Sequence, residues 1–164
     1  MMARNDVLAV LGLLGAAGTD VVLAGGWGID ALLGEETREH RDLDLLHDRG
    51  QEPAVVAALE SAGYAETLDQ RPVRFVLTHP SGREIDLHPL EFAADGSAVQ
   101  ASPDPTAPFH YPAACFVTGT IGTTTVRCIS AERQADFHRG YEPAARDVRD
   151  MAHLRRKFGI ETAF

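Results

Sequence analysis

The hydrophobic and polar positions of the chain follow two periods, and each change of period marks a new element. Residues 4–17 carry an apolar helical pattern that ends at Gly18, which predicts a first helix. Residues 21–24 are apolar and predict a short buried strand. Helical spacing returns over residues 27–33 and ends at Gly34. The chain is therefore predicted to open with a helix, a strand and a second helix.

The middle of the chain combines strands with one further helix. Residues 42–45 alternate Asp and Leu, and this period of two is typical of a half-buried strand. Residues 53–62 are rich in alanine and begin with proline, which predicts a helix. Residues 74–77 and 84–88 are two further strands, and the Pro, Ser and Gly of the connection at 79–82 predict a hairpin.

The last third of the chain begins with a long connection. Residues 91–112 contain one glycine and four prolines and are expected to form an irregular loop, of the kind that often serves as a lid or substrate wall. Two short strands are predicted near 115–121 and 124–128. Ser130 is a predicted helix cap, and a final helix is expected over residues 143–158.

These elements predict a mixed α/β (α+β) fold, with a mixed sheet flanked by helices and a short helical segment at the C-terminal end. At 164 residues, one compact unit is expected. Residues 1–112 would form its core, and the strands and helices of residues 113–164 would complete it.

Composition narrows the possible partners. The net charge is −9, from 24 acidic and 15 basic residues, and such an acidic chain is a poor general binder of nucleic acid. Cys115 and Cys128 form no disulfide framework and no zinc motif, which fits the cytoplasm. The apolar start of the chain is better explained by an amphipathic helix than by a signal peptide, and no stretch approaches the length of a membrane span.

Candidate chemistry is concentrated in three carboxylates and a glycine pair. On a strand, Asp42 and Asp44 point to the same face, roughly 6–7 Å apart at Cα, so they repel each other. A divalent cation between them would turn this repulsion into attraction, and Mg²⁺ is usually held by such carboxylates together with substrate phosphates. Asp86 lies on a separate strand whose acidic face can meet the first. The three acids therefore predict a two-metal site.

The glycine pair supplies the other half of the predicted site. Gly25 and Gly26 stand before a helix, so a phosphate can approach the backbone and meet the free N–H groups at the helix N-terminus. Each feature alone is weak, since a D-x-D pair is often solvated surface and Gly-Gly is usually a turn. Their order along the chain is what makes them informative.

This order resembles the signature of the polymerase-β-like nucleotidyltransferase superfamily. The branch it resembles is the small antibiotic nucleotidyltransferases that act on aminoglycosides or lincosamides. The residues that carry the resemblance are Gly25-Gly26-Trp27-Gly28-Ile29-Asp30, Thr37-Arg38-Glu39-His40-Arg41-Asp42-Leu43-Asp44 and, less specifically, Phe137-His138-x-Gly140-Tyr141-Glu142.

By this resemblance, Asp42 and Asp44 ligate Mg²⁺, and Asp86 completes the first metal site and is the general base. Gly25 and Gly26 face the triphosphate. The implied reaction moves a nucleoside monophosphate, in the first instance AMP from ATP, onto a hydroxyl of a small molecule and releases pyrophosphate. Two magnesium ions and a nucleoside triphosphate are implied, and a homodimer is compatible with the resemblance.

Neighbouring residues have two interpretations each. Arg38 and His40 could hold phosphates or belong to a solvated turn. His88 could border the metal or be a surface histidine. Asp30 is expected to orient local donors and Trp27 to pack in the core.

The C-terminal motif is similarly open. His138, Tyr141 and Glu142 could line an acceptor pocket, but helix packing is the favoured interpretation.

Three alternatives remain open at this point. The acceptor could be a protein or tRNA, as in toxin–antitoxin nucleotidyltransferases, although the chain has no basic stripe. The fold could be a regulatory nucleotide-binding module without turnover, which would have no need of three mutually repelling acids. A metallohydrolase could use His40, Asp42, Asp44 and His88, but this leaves the glycine pair unexplained.

Overall fold

The computed structural model describes residues 1–164 as one mixed sheet with helices on both sides. The first strand is β1 (Val21–Leu23), and it lies between helices α1 (Arg4–Ala16) and α2 (Gly25–Leu33). The next elements are β2 (Asp42–Asp48) and α3 (Glu52–Ser61). Each of these elements was predicted from the hydrophobic pattern.

The sheet is completed by strands from the rest of the chain. These are β3 (Ala65–Gln70), β4 (Arg74–Thr78), β5 (Glu84–Phe92), β6 (Ala98–Gln100), β7 (Phe109–Tyr111), β8 (Phe116–Ile121) and β9 (Thr124–Ile129). Helices α4 (Ala131–Phe137) and α5 (Ala145–Phe158) follow. The strand order is β3-β4-β5-β2-β1-β9-β8, and β6 and β7 form a small antiparallel extension from the end of β5. The predicted mixed α/β fold is confirmed.

One face of the sheet carries most of the apolar core. Leu43 and Leu45 of β2 and Ile85 and Leu87 of β5 are fully buried there, against apolar side chains of α1 and α3. A second apolar cluster joins α2, α4 and α5 through residues that include Ile29 and Met151. The opposite face is polar at the start of β2 and β5, because alternate residues of a strand point to opposite sides, and it becomes apolar further along, where Leu46 and Leu90 are buried.

Three details differ from the sequence predictions. Residues 91–112 are not an irregular connection throughout: β5 continues to Phe92, β6 pairs with the end of β5, and β7 pairs with β6. Strand β3 was missed, because most of its side chains are exposed and it carries no apolar alternation. Gly25 and Gly26 form the first turn of α2 and do not precede the helix.

Helix ends agree with the predicted caps. The Ser130 side chain accepts from the backbone N–H of Arg133 at the start of α4, and Gly159 ends α5 in the left-handed conformation. No helix has the length and apolar character needed to cross a membrane.

Candidate active site

The register of the two central strands brings two of the predicted carboxylates together. Strands β2 and β5 are parallel, with Asp44 directly opposite Asp86 and Asp42 opposite Glu84. All four side chains lie on the polar face, because their neighbours in sequence fill the apolar core. The sheet therefore concentrates negative charge on one patch of its surface.

A histidine joins the carboxylate pair. Ligand atoms of Asp44, Asp86 and His88 all lie within 4.8 Å of one another. Nε2 of His88 is 3.4 Å from Oδ1 of Asp44 and 3.6 Å from Oδ1 of Asp86. Asp42 stands outside this group at the rim, where its side chain is 43% exposed and 3.8 Å from the Arg41 guanidinium.

The carboxylates are held in an unfavourable electrostatic state. Burial raises the pKa of Asp86, and Asp44 raises it further, against the opposing effects of His88 and Arg74. Burial and the neighbouring Asp44 also raise the pKa of Asp42. One oxygen of Asp86 accepts from Arg74, whereas Oδ1 is buried with no hydrogen-bond partner.

These carboxylate oxygens are suitable ligands for a divalent cation. A buried carboxylate oxygen without a donor is unusual in a folded protein, and it lies beside a second carboxylate. Oxygen ligands of this kind suit Mg²⁺, which keeps part of its coordination shell for water and substrate phosphates. Asp44 and Asp86 are thus placed to hold a metal ion, with Asp42 next to them on the same face.

The glycine pair packs the start of α2 against the carboxylates. Gly25 has φ +57°, and a Cβ at this position would overlap the Asp44 carboxylate. A Cβ at Gly26 would overlap the His40 ring. The backbone N–H of Ala24 donates to the carbonyl of Asp44 at 3.1 Å. The N-terminus of α2, a favourable position for an anion, is therefore adjacent to Asp44.

Arg38 and His40 lie behind this helix start, and each contacts a carboxylate. His40 is buried, with Nε2 2.5 Å from the Asp30 carboxylate. The Arg38 guanidinium donates to Asp150 of α5 at 2.8 Å. A contact from Arg38 or His40 to phosphate stays a prediction.

Two neighbours behave as predicted. Asp30 also accepts from the backbone and hydroxyl of Thr37, so it orients local donors. Trp27 is buried in the core.

A cavity of about 400 Å³ opens beside Asp44 and Gly25. Its wall is largely aromatic and aliphatic, and Asp44 is the one carboxylate that lines it. The aromatic part comes from β7 and α4, namely Phe109, Tyr111 and Phe137.

The sequence did not single out Phe109 and Tyr111, whereas Phe137 belongs to the C-terminal motif that carries the resemblance. The only signal for Phe109 and Tyr111 was their place in the 91–112 connection, a kind of loop that often serves as a lid or substrate wall.

The C-terminal motif residues are only partly at the cavity. His138 lines it, with Nδ1 2.7 Å from the carbonyl of Gln134. Tyr141 is 46% exposed and Glu142 is also exposed, and neither lines the cavity.

Comparison with known proteins connects this geometry to an enzyme family. A family model described as aminoglycoside-2''-adenylyltransferase matches residues 6–154. A lincosamide resistance protein of Staphylococcus haemolyticus is 35% identical over 133 residues, which are 81% of this chain and 82% of that protein.

Solved structures agree. The lincosamide antibiotic adenylyltransferase LnuA, crystallised with lincomycin bound, has a TM-score of 0.85 at 31% identity and covers 94% of this chain and 97% of its own. ANT(2'')-Ia in complex with adenylyl-2''-tobramycin has a TM-score of 0.72 at 20% identity, covering 95% of this chain and 89% of its own, which shows a shared fold.

Proposed function

The chain belongs to the aminoglycoside-2''-adenylyltransferase family and is a nucleotidyltransferase, and on this basis we propose that it transfers AMP from ATP to a hydroxyl group of a lincosamide-type antibiotic. The observation that carries the proposal is the opposed pair Asp44 and Asp86, set beside the N-terminus of α2 at the mouth of an aromatic cavity.

The carboxylates support the chemistry. When bound, magnesium ions held by Asp42, Asp44 and Asp86 would neutralise the phosphate charge and lower the pKa of the acceptor hydroxyl. Asp86 receives the hydroxyl proton, for which its raised pKa is suitable. The acceptor oxygen then forms a bond to the α-phosphorus. The bond from the α-phosphorus to the bridging oxygen breaks, and pyrophosphate leaves with that electron pair.

The glycine pair supports the placing of the triphosphate. The absence of side chains at Gly25 and Gly26 keeps the helix start close to Asp44, and its free N–H groups are suitable partners for phosphate oxygens. Positioning and charge neutralisation account for most of the catalysis in this class of reaction.

The cavity wall supports the class of acceptor. An aminoglycoside carries several ammonium groups, and a site for it would be expected to offer several carboxylates. Here Asp44, already engaged with the metal site, is the one acid that lines the cavity, whereas Phe109, Tyr111 and Phe137 offer apolar surface. Such a wall suits a lincosamide, which joins a sugar to an alkylated ring and carries fewer charges.

A comparison of acceptor classes tests the proposal. Purified protein is incubated with ATP and Mg²⁺ and with lincomycin, clindamycin, tobramycin or kanamycin, and the products are weighed by mass spectrometry. The proposal predicts an adenylyl adduct on the lincosamides. Adducts on the aminoglycosides alone would overturn the acceptor class, and no adduct with either class would favour a regulatory module or a macromolecular acceptor.

A further inference from the structure

A buried chain of polar side chains leads from the cavity wall to the carboxylate pair. The Tyr111 hydroxyl donates to Oε1 of Gln100 at 2.6 Å. Nε2 of Gln100 lies 3.3 Å from Nδ1 of His88, and Nε2 of His88 lies against Asp44 and Asp86. Tyr111 and Gln100 are 1% and 5% exposed, so water does not compete strongly for these contacts.

A backbone carbonyl fixes the orientation of the Gln100 amide. Nε2 of Gln100 is 3.4 Å from the carbonyl oxygen of Val73, a group that can only accept. The reversed amide would place two oxygens against each other there and would leave the Tyr111 hydroxyl beside an NH₂ group. The amide therefore presents hydrogens, not an oxygen, to His88.

This orientation decides the tautomer of His88. Since the amide donates to Nδ1, this nitrogen has a free lone pair, and the proton of the neutral ring is on Nε2. The Nε2–H group then faces Oδ1 of Asp44 at 3.4 Å and the buried Oδ1 of Asp86 at 3.6 Å, an oxygen that has no hydrogen-bond partner. In this tautomer Nε2 has no lone pair to offer a metal ion.

On the basis of the proposed function, we infer that His88 is a positioning residue that donates from Nε2 to the metal-binding carboxylates and is not itself a metal ligand. The Tyr111–Gln100 pair holds it in this role. Two consequences follow. The ligands are oxygens only, which favours Mg²⁺ over ions such as Zn²⁺ and Co²⁺ that bind imidazole well. Tyr111, Gln100 and His88 also line the acceptor cavity, so this chain of contacts links the cavity to the metal site.

The tautomer is directly observable in the metal-free protein. Long-range proton–nitrogen NMR of histidine-labelled protein, recorded at about pH 8, above the ordinary histidine pKa, distinguishes the two neutral forms, and His88→Gln identifies the signals. We expect a protonated Nε2 and an unprotonated Nδ1. A protonated Nδ1, alone or in a doubly protonated ring, would overturn the inference. Because neither ATP nor turnover is involved, this result is independent of the proposed function.

A second measurement uses metal preference. In Gln100→Glu, a carboxylate would replace the amide donor and accept from Nδ1–H, which frees the Nε2 lone pair for a metal ion. Calorimetric titration with Mg²⁺ and Zn²⁺ should show the preference for Zn²⁺ over Mg²⁺ rising on the order of 10- to 100-fold over wild type, as expected when an outer partner of a metal site changes. Gln51→Glu is the matched control, because Gln51 accepts from the backbone N–H of Asp20, an interaction that a carboxylate retains, and it belongs neither to the metal cluster nor to the cavity wall. An unchanged preference in a folded Gln100→Glu variant would contradict the inference.

Discussion

Asp44 and Asp86 are directly opposite each other on parallel strands, although 41 residues lie between them in the sequence. Their shared face exists because Leu43, Leu45, Ile85 and Leu87 fill the core behind them. Packing on one side of the sheet thus holds two repelling carboxylates together on the other side, and we propose that this enforced charge attracts the cation.

The first prediction concerns the pair itself. Asp44→Asn and Asp86→Asn should each lower kcat at least about 100-fold, because each removes charge that positions the reacting groups. Circular dichroism should remain that of a folded protein. Glu84→Gln is the matched control, since Glu84 is on the same face of β5 but outside the cluster of Asp44, Asp86 and His88. An equal loss of kcat in Glu84→Gln would show that the total negative charge of this face matters, and not the Asp44–Asp86 pair.

The second prediction concerns Gly25. Gly25→Ala should lower the free energy of unfolding by about 1–3 kcal/mol, because alanine is strained at positive φ. It should also reduce turnover, because its methyl group overlaps Asp44. Urea denaturation and a steady-state assay measure the two effects. Gly15→Ala, in α1 with open space around it, should instead raise stability by about 0.5–1 kcal/mol. Similar behaviour of the two variants would refute this account of Gly25.

The sequence predicted this part of the site because the information is local. A D-x-D pair that alternates with leucine specifies which face the acids share, and Gly25-Gly26 before a helical pattern indicates a close approach. The position of Asp42 at the rim could not be predicted, and the sequence left open whether His88 borders the metal or is a surface histidine. Both depend on the register between β2 and β5, which long-range pairing sets.

The cavity wall was hidden for a similar reason. Strands β6 and β7 have three residues each, too few to show a period, and they depend on pairing: β6 pairs with the end of β5 and β7 pairs with β6. The roles of Gln100 and Tyr111 become visible only when β6 and β7 bring them together with His88.

The third prediction concerns pH and stability. The pKa of Asp42 is raised in the folded protein. The free energy of unfolding therefore falls as the pH rises from the ordinary value of 3.8 through the folded pKa, because the ionised carboxylate is disfavoured in the fold. The stability that comes from protonated Asp42 is fully present only below 3.8. Asp42→Asn should therefore raise Tm of the metal-free protein at neutral pH, with the gain shrinking as the pH falls toward that value. Thermal unfolding scans across this range measure the difference. A gain that is constant with pH would show that charge is not its cause.

The fourth prediction concerns Arg38. Because Asp150 is almost fully buried, Arg38→Met should lower the free energy of unfolding by about 3–5 kcal/mol, the usual cost of breaking a buried pair. The double variant Arg38→Met/Asp150→Leu should recover most of that loss in a denaturation experiment. No recovery would mean that the ion pair is not what the single variant breaks.

The same double variant examines the predicted phosphate contact. If Arg38 also binds ATP, the stable double variant should have a higher KM for ATP than the wild-type protein. A KM equal to that of wild type would show that Arg38 only joins the 34–41 segment to α5.

Transfer of the α-phosphate of ATP to the acceptor is tested most directly by following labelled phosphorus atoms. Wild-type protein and Asp44→Asn are incubated with Mg²⁺, lincomycin and ATP labelled either at the α-phosphate or at the γ-phosphate. The account predicts that the α-label appears on lincomycin and the γ-label in pyrophosphate with wild type, and that neither product forms with the variant. Transfer of the γ-label to the acceptor, or wild-type turnover by Asp44→Asn, would contradict it.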